Sequence, residues 1–123
     1  MPETVAVIST YQTPFALRDL RHTFVEQVQQ AAVGALAAAG MTPADVDAIV
    51  FSLAPTSFMG VADADRWSVD HIFAGGKPMM RVHGGGATGG SAVHAAYALV
   101  RSGMFRTVLI VGGERMSETP DVQ

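Results

Sequence analysis

The sequence contains no cysteine among its 123 residues, which excludes disulfides, thiolate-bound zinc and a thiol nucleophile. Charged residues are also scarce, at 15% of the chain, against about 25% in an average soluble protein. The formal net charge is −3 and no basic patch is present, which argues against a nucleic-acid partner. The N-terminus lacks the features of a signal peptide, and no apolar run approaches the roughly 18 residues of a membrane-spanning helix. We therefore expect a cytoplasmic protein.

Hydrophobic residues make up 49% of the chain, which is high for a protein of this length. A chain of 123 residues fits one domain and is long enough to bury a core. With so little charge to cover its surface, the domain is expected to bury part of that surface against more protein.

The pattern predicts strands that alternate with helices. Thr23 and Glu26 form a capping-box pattern before a helix that Gly40 ends, and Thr42–Asp45 forms a second cap. Near-continuous apolar strands between helices are typical of an α/β fold with a mostly parallel sheet and helices on both faces. The predicted strands are 4–10, 48–53, 79–83 and 107–111, and the predicted helices are 24–39, 67–73 and 88–102, with a polar loop over 54–66.

A glycine-dense turn, residues 84–90, lies between a predicted strand and a predicted helix. Gly84 to Gly89 match the G-x-G-x-x-G pattern of dinucleotide sites, with Glu114 after the next strand as a candidate ribose ligand. However, Glu114 lies 25 positions beyond Gly89, further than the usual spacing of about 20 from the motif. The preceding strand, residues 79–83, also lacks the apolar character of a Rossmann first strand. Glycines that permit a tight turn and close helix packing are the favoured interpretation.

Other reactive side chains do not form a known catalytic or metal-binding pattern. A nucleophile elbow at Ser91 would need glycine where Val93 stands, and His94 has no acid placed to orient it. The histidines are scattered, and a loop role fits Asp63 and Asp65 better than calcium binding. No metal site is therefore predicted.

Three segments together resemble thiolases in order and spacing. They are VAVISTYQTPF at 5–15, which resembles the opening strand and its T-P-F turn, VHGGGATGGSA at 82–92, which resembles the nucleophile turn, and RSGMFRTVLIVGGERMS at 101–117, which resembles the next strand and its G-x-E-x-M-S tail. The resemblance covers nearly the whole chain and implies the N-terminal half of the layered thiolase fold.

The resemblance also implies a site for coenzyme A thioesters, with the thioester as substrate and no cofactor. Aligning the turns places Gly86 where thiolases carry their nucleophilic cysteine, and glycine cannot form a thioester. What remains is backbone N–H groups at Gly86 and Ala87, beside a helix start, that can polarise a carbonyl. His83 borders the turn and is a further candidate, although a structural imidazole is the simpler interpretation.

Within the superfamily, the sequence is most similar to cysteine-less, lipid-transfer-protein-like homologues. Some of these are aldolases that cleave β-hydroxyacyl-CoA side chains, as in steroid degradation, a reaction that needs no covalent nucleophile. Two alternatives remain open: a non-catalytic scaffold subunit of a thiolase complex, and an acetyltransferase-type thiolase in which another group has replaced the cysteine.

The resemblance further implies several partners. Thiolases have two similar halves, so we expect 1–123 to be an incomplete N-terminal domain, with a second polypeptide as one source of the C-terminal half. The strand Met79–His83 is expected at a homodimer axis, and a small zinc-ribbon and OB-fold protein is a further candidate partner. Residues 54–66 are expected to help shape the substrate pocket.

Overall fold

The computed structural model describes residues 4–54 and 61–118 as a sheet with helices packed against it. In chain order, the elements are α1 (Phe24–Ala39), a 3-10 turn (Pro43–Asp45), β1 (Ala48–Ser52), α2 (Ala64–Trp67), β2 (Met79–Val82), α3 (Thr88–Arg101), β3 (Val108–Gly112) and a second 3-10 turn (Met116–Glu118). Across the two described ranges, none of the helices has the length and hydropathy that a bilayer span requires.

The described strands form a parallel sheet in the order β2-β1-β3. The register places Phe51 opposite Arg81 on one side and opposite Val111 on the other. β1 is therefore the central strand, and both of its edges are paired. The prediction of a mostly parallel sheet is confirmed.

Successive side chains of β1 point to opposite faces of the sheet and build two separate cores. Ile49 and Phe51 join the larger core, which includes Val28 and Leu36 of α1. Val50 lies on the other face, in a smaller cluster formed with residues of α3. Helices thus cover both faces of the sheet, as predicted.

The ends of α1 are those that the sequence predicts. The Thr23 hydroxyl accepts the N–H of Glu26 at 3.3 Å, and the Glu26 carboxylate accepts the N–H of Thr23 at 2.9 Å. Gly40 ends the helix in the left-handed region, with φ of 64°. The reciprocal capping box and the glycine cap are both confirmed, because they depend only on residues adjacent in sequence.

The predicted buried strand at 4–10 is wrong. No strand is formed there, and Val7 and Ile8 are 79% and 61% exposed. The segment pairs with none of the described strands and lies against α1. The Ser9 hydroxyl donates to the Ala35 carbonyl at 2.7 Å. A β-branched run favours extended backbone, but it becomes a strand only where a partner edge receives it.

The predicted helix at 67–73 is also displaced. The helical turn is α2, at 64–67, and hydrogen-bonded turns follow it as far as residue 77. The remaining elements lie within two residues of their predicted bounds. Residues 55–60 of the predicted loop and residues 119–123 lie outside the described residues.

Arg115 ties the chain after β3 to the segment before α1. Its guanidinium donates to the carbonyls of Asp19 and His22, at 2.7 and 2.5 Å. The Asp19 carboxylate accepts hydrogen bonds from the N–H of Arg21 and from the ring and N–H of His22, which together hold its pKa well below its usual range. These contacts fix the backbone that leaves the carboxyl end of β3.

Replacing Gly112 with alanine should destabilise the sheet, because β3 approaches β1 closely there. A Cβ at Gly112 would lie 2.5 Å from the Ser52 carbonyl oxygen, so the two strands would have to separate. We expect Gly112→Ala to lower the free energy of unfolding by about 1–3 kcal/mol, measured by chemical denaturation. The control is Gly75→Ala, whose Cβ would have ordinary contact distances. Equal stability of the two variants would contradict the close approach.

Candidate functional site

A cavity lies at the carboxyl edge of the sheet, where β1 and β3 both end. Its volume is about 550 Å³. Parallel strands place their carboxyl ends at one edge, and ligands of α/β folds commonly bind outside that edge. The lining residues are Ser52, Ala54, Gly85, Gly86, Thr88, Gly89, Gly113, Glu114 and Met116. The glycine turn thus forms one wall of the cavity, and the segment after β3 forms another.

The turn between β2 and α3 is built from short-range hydrogen bonds. Gly85 adopts φ of 58°, a conformation that favours glycine. The N–H of Ala87 donates to the carbonyl of Gly84 at 3.0 Å, and the N–H of Thr88 donates to that of Gly85 at 3.3 Å. These bonds reverse the chain within four residues and direct it into α3.

The Thr88 side chain stabilises this turn by hydrogen bonds to its backbone. Its hydroxyl accepts the N–H of Gly84 at 3.1 Å and donates to the carbonyl of Gly85 at 2.6 Å. Thr88 is 7% exposed, although Gly84 and Gly85 are themselves exposed, so the side chain satisfies both backbone groups from the buried side of the turn. Sequence reasoning gave Thr88 no role, although a threonine at the start of a helix after three glycines is a recognisable capping signal.

The free N–H donors of the turn differ from those expected. The N–H of Ala87 is occupied by the Gly84 carbonyl. By contrast, the N–H groups of Gly86 and Gly89 have no acceptor within residues 4–54 and 61–118, and both residues line the cavity. A Cβ built on Gly86 would meet nothing within 4 Å. The thioester site at Gly86 stays a prediction, and among the cavity-lining residues of the turn Gly85 and Gly89, rather than Ala87, are available as further donors.

Glu114 enters the same cavity from the end of β3. Its Oε1 accepts the N–H of Ala54 at 2.5 Å. Partial desolvation raises the pKa of the Glu114 carboxyl, although the residue as a whole is exposed, while the bond from Ala54 and the charge of Arg81 oppose that rise. Sequence reasoning weighed Glu114 only as a ribose ligand. Its place directly after an apolar parallel strand was a signal that it lies at the ligand-binding edge.

Arg81 contacts both Asp65 and the backbone at this edge of the sheet. One Arg81 nitrogen donates to the Ala54 carbonyl at 2.8 Å, and another lies 3.6 Å from the Asp65 carboxylate. Asp65 is only 9% exposed, so its assignment to a surface loop is wrong. It is buried because α2 turns it inward toward a cation, a contact between residues 16 positions apart that local sequence does not reveal.

The other candidate residues lie outside the cavity lining. His83 and His94 are exposed, and the Ser91 hydroxyl lies against Gly84, close to where a Cβ there would be. The strand before the turn is an edge strand and only partly buried, unlike the buried first strand of a dinucleotide unit. Within the described ranges, no group of three His, Asp or Glu residues could hold a metal ion.

The chain matches known proteins across nearly its whole length. The family described as the thiolase N-terminal domain matches residues 5–123. The acetyl-CoA acetyltransferase of Methanothermobacter thermautotrophicus is 32% identical over 119 residues, which cover 95% of this chain and 30% of that protein.

A solved structure shows a similar fold. The crystal structure of 3-oxoacyl-[acyl-carrier-protein] synthase III from Aquifex aeolicus has a TM-score of 0.67 with 22% identity, covering 80% of this chain and 32% of that one. The chain therefore spans about a third of the length of these proteins.

Removing the Thr88 hydroxyl should loosen the turn. Thr88→Val keeps the volume but removes the acceptor of the Gly84 N–H and one of the two donors to the Gly85 carbonyl, and we expect a loss of about 1 kcal/mol in unfolding free energy. Amide hydrogen exchange at Gly84 should also accelerate. Thr88→Ser retains the hydroxyl and is the matched control. If valine and serine variants behave alike, the hydroxyl does not lock the turn.

Proposed function

The chain belongs to the thiolase N-terminal domain family, and on that premise we propose that it is part of a thiolase-fold enzyme that acts on acyl-CoA thioesters without a cysteine nucleophile. Its reaction is retro-aldol cleavage of a β-hydroxyacyl-CoA. The observation that carries the proposal is Gly86, which lines the cavity, carries no side chain and has an N–H that donates to no acceptor in the described part of the chain.

This donor arrangement suits a reaction that forms a transient oxyanion. Gly86 and Gly89 line the cavity, and their N–H groups are the proposed donors to the negative charge that develops on a thioester oxygen. A fixed donor of this kind typically contributes about 10²- to 10³-fold to a rate. No protein–substrate bond is required, which agrees with the absence of cysteine.

The bond changes of the cleavage balance without a covalent enzyme intermediate. A base removes the proton of the β-hydroxyl, the new carbonyl forms, and the bond between the α- and β-carbons breaks. Its electron pair moves onto the thioester as an enolate, whose oxygen the turn amides hold. Protonation of the α-carbon then yields a shorter acyl-CoA and releases a ketone or aldehyde.

Acyl transfer is the second candidate, supported by the name of the acetyltransferase relative. This reaction requires that a group other than cysteine, in this chain or in a partner, acts as the nucleophile and becomes covalently acylated. A non-catalytic scaffold subunit is the third candidate, in which another polypeptide holds the reacting groups.

The proposed assembly has several partners. The outer edge of β2 is unpaired within the described part of the chain, which is compatible with a homodimer through the strand at 79–83. A second polypeptide that carries a C-terminal half and a small zinc-ribbon and OB-fold protein are the further proposed partners.

Cleavage can be tested directly on the purified protein with the chains that accompany it. Incubation with a series of β-hydroxyacyl-CoA thioesters should yield a carbonyl compound and a shorter acyl-CoA in equal amounts, measured by mass spectrometry. Intact-mass measurement of the protein should show no acyl adduct. If the wild-type protein instead carries an acyl adduct, acyl transfer is supported. If neither cleavage products nor an acyl adduct are found, the scaffold role is supported.

Cysteine at position 86 should capture an acyl group. Because a Cβ at Gly86 meets nothing within 4 Å, Gly86→Cys should fold with little change in stability. We expect its thiol to take an acyl group from acyl-CoA, since a helix start beside it lowers the thiol pKa. Intact-mass measurement gives the readout, and Gly86→Ala is the matched control. If folded Gly86→Cys protein carries no acyl group after the incubation, the thioester does not bind at position 86.

A further inference from the structure

Glu114 is the one titratable side chain among the described residues that line the cavity at the glycine turn. The other lining residues carry hydroxyl, methyl or thioether groups or no side chain. Any proton that moves between a ligand in this cavity and a described side chain of the wall must therefore pass through Glu114 or a hydroxyl. Hydroxyl groups are poor proton carriers at neutral pH, so the carboxyl is the effective group.

The Glu114 carboxyl is anchored on one side only. Its Oε1 accepts the Ala54 N–H at 2.5 Å. Its Oε2 has no hydrogen-bond partner within the ranges 4–54 and 61–118. A carboxyl held by one oxygen is oriented, and its second oxygen is left to exchange a proton with a ligand.

Among the described residues, no cation forms an ion pair with the Glu114 carboxylate alone. Arg81 donates to the Ala54 carbonyl and lies near the buried Asp65 carboxylate, which balances its charge. Although the residue as a whole is exposed, partial desolvation of its carboxyl outweighs the Ala54 hydrogen bond and the attraction of Arg81, and the pKa of Glu114 rises. A carboxyl with a raised pKa is a stronger base when ionised and is protonated at a higher pH than a free glutamate.

We propose that Glu114 is the general acid–base residue of the thioester site, an inference that rests on the proposed function. The Glu114 carboxylate takes the proton of the β-hydroxyl as the bond between the α- and β-carbons breaks. The resulting carboxylic acid then returns that proton to the α-carbon of the enolate. The residue ends in its starting state, so the cycle needs no additional acid, base or oxidant.

The test separates the proton step from binding and folding. Glu114→Gln keeps an oxygen that can accept the Ala54 N–H, so folding and acyl-CoA affinity should persist. The readout is exchange of the α-protons of acetyl-CoA in D₂O, followed by mass spectrometry on the full protein in its native assembly. We expect exchange to fall by about 10²- to 10⁴-fold and the pH-dependent limb assigned to Glu114 to disappear.

Two further variants complete the design. Glu26→Gln is the matched control, because Glu26 also accepts a backbone N–H but lies at the start of α1. It should leave exchange and its pH profile unchanged. Glu114→Asp keeps a carboxyl, so exchange should be slower with the pH limb retained. This variant decides the matter if Glu114→Gln does not fold.

The possible outcomes distinguish this inference from the function on which it rests. If wild type cleaves a β-hydroxyacyl-CoA and Glu114→Gln exchanges α-protons within a few-fold of wild type, the role of Glu114 is overturned and the function stands. Loss of acyl-CoA binding in a folded Glu114→Gln protein would make Glu114 a structural residue and would also overturn the inference. If wild type neither binds nor cleaves any acyl-CoA, both proposals fail.

Discussion

The described fold depends on the burial of β1 along both of its edges and on both of its faces. Its edges pair with β2 and β3, and its faces are covered by α1 and α3. Ile49, Val50 and Phe51 are at most 1% exposed. Because all three strands run in the same direction, their carboxyl ends meet at one edge, and the turn after β2 and the segment after β3 come together there. The candidate site is a consequence of that parallel pairing.

The chemistry of the site comes from backbone groups more than from side chains. A glycine turn stabilised by Thr88 places Gly86 and Gly89 in the cavity lining, and Glu114 supplies the one titratable group among the described lining residues. These 123 residues contain no cysteine and therefore supply no thiol nucleophile of their own. The proposed chemistry, a thioester that is polarised but never bound covalently, would use these backbone groups.

Much of this could be predicted from the sequence, where the determining contacts are local. The capping box of α1 and the limits of β1 follow from residues next to one another, and the glycine turn was correctly placed between a strand and a helix. The prediction of a strand at 4–10 failed because a strand needs a partner edge, and pairing depends on parts of the chain that are distant in sequence. Asp65 failed for the same reason, since its burial depends on Arg81.

The sequence alone determined the family, the absence of a cysteine nucleophile and the position of the turn, because motifs and composition are properties of order along the chain. Only the tertiary structure decided which amides of the turn are hydrogen-bonded within the described residues and that Glu114 lines the same cavity. Ala54 and Glu114 are 60 residues apart in the chain, and the hydrogen bond between them exists because β1 and β3 are neighbours in the sheet. Long-range pairing sets the site, and local sequence does not encode it.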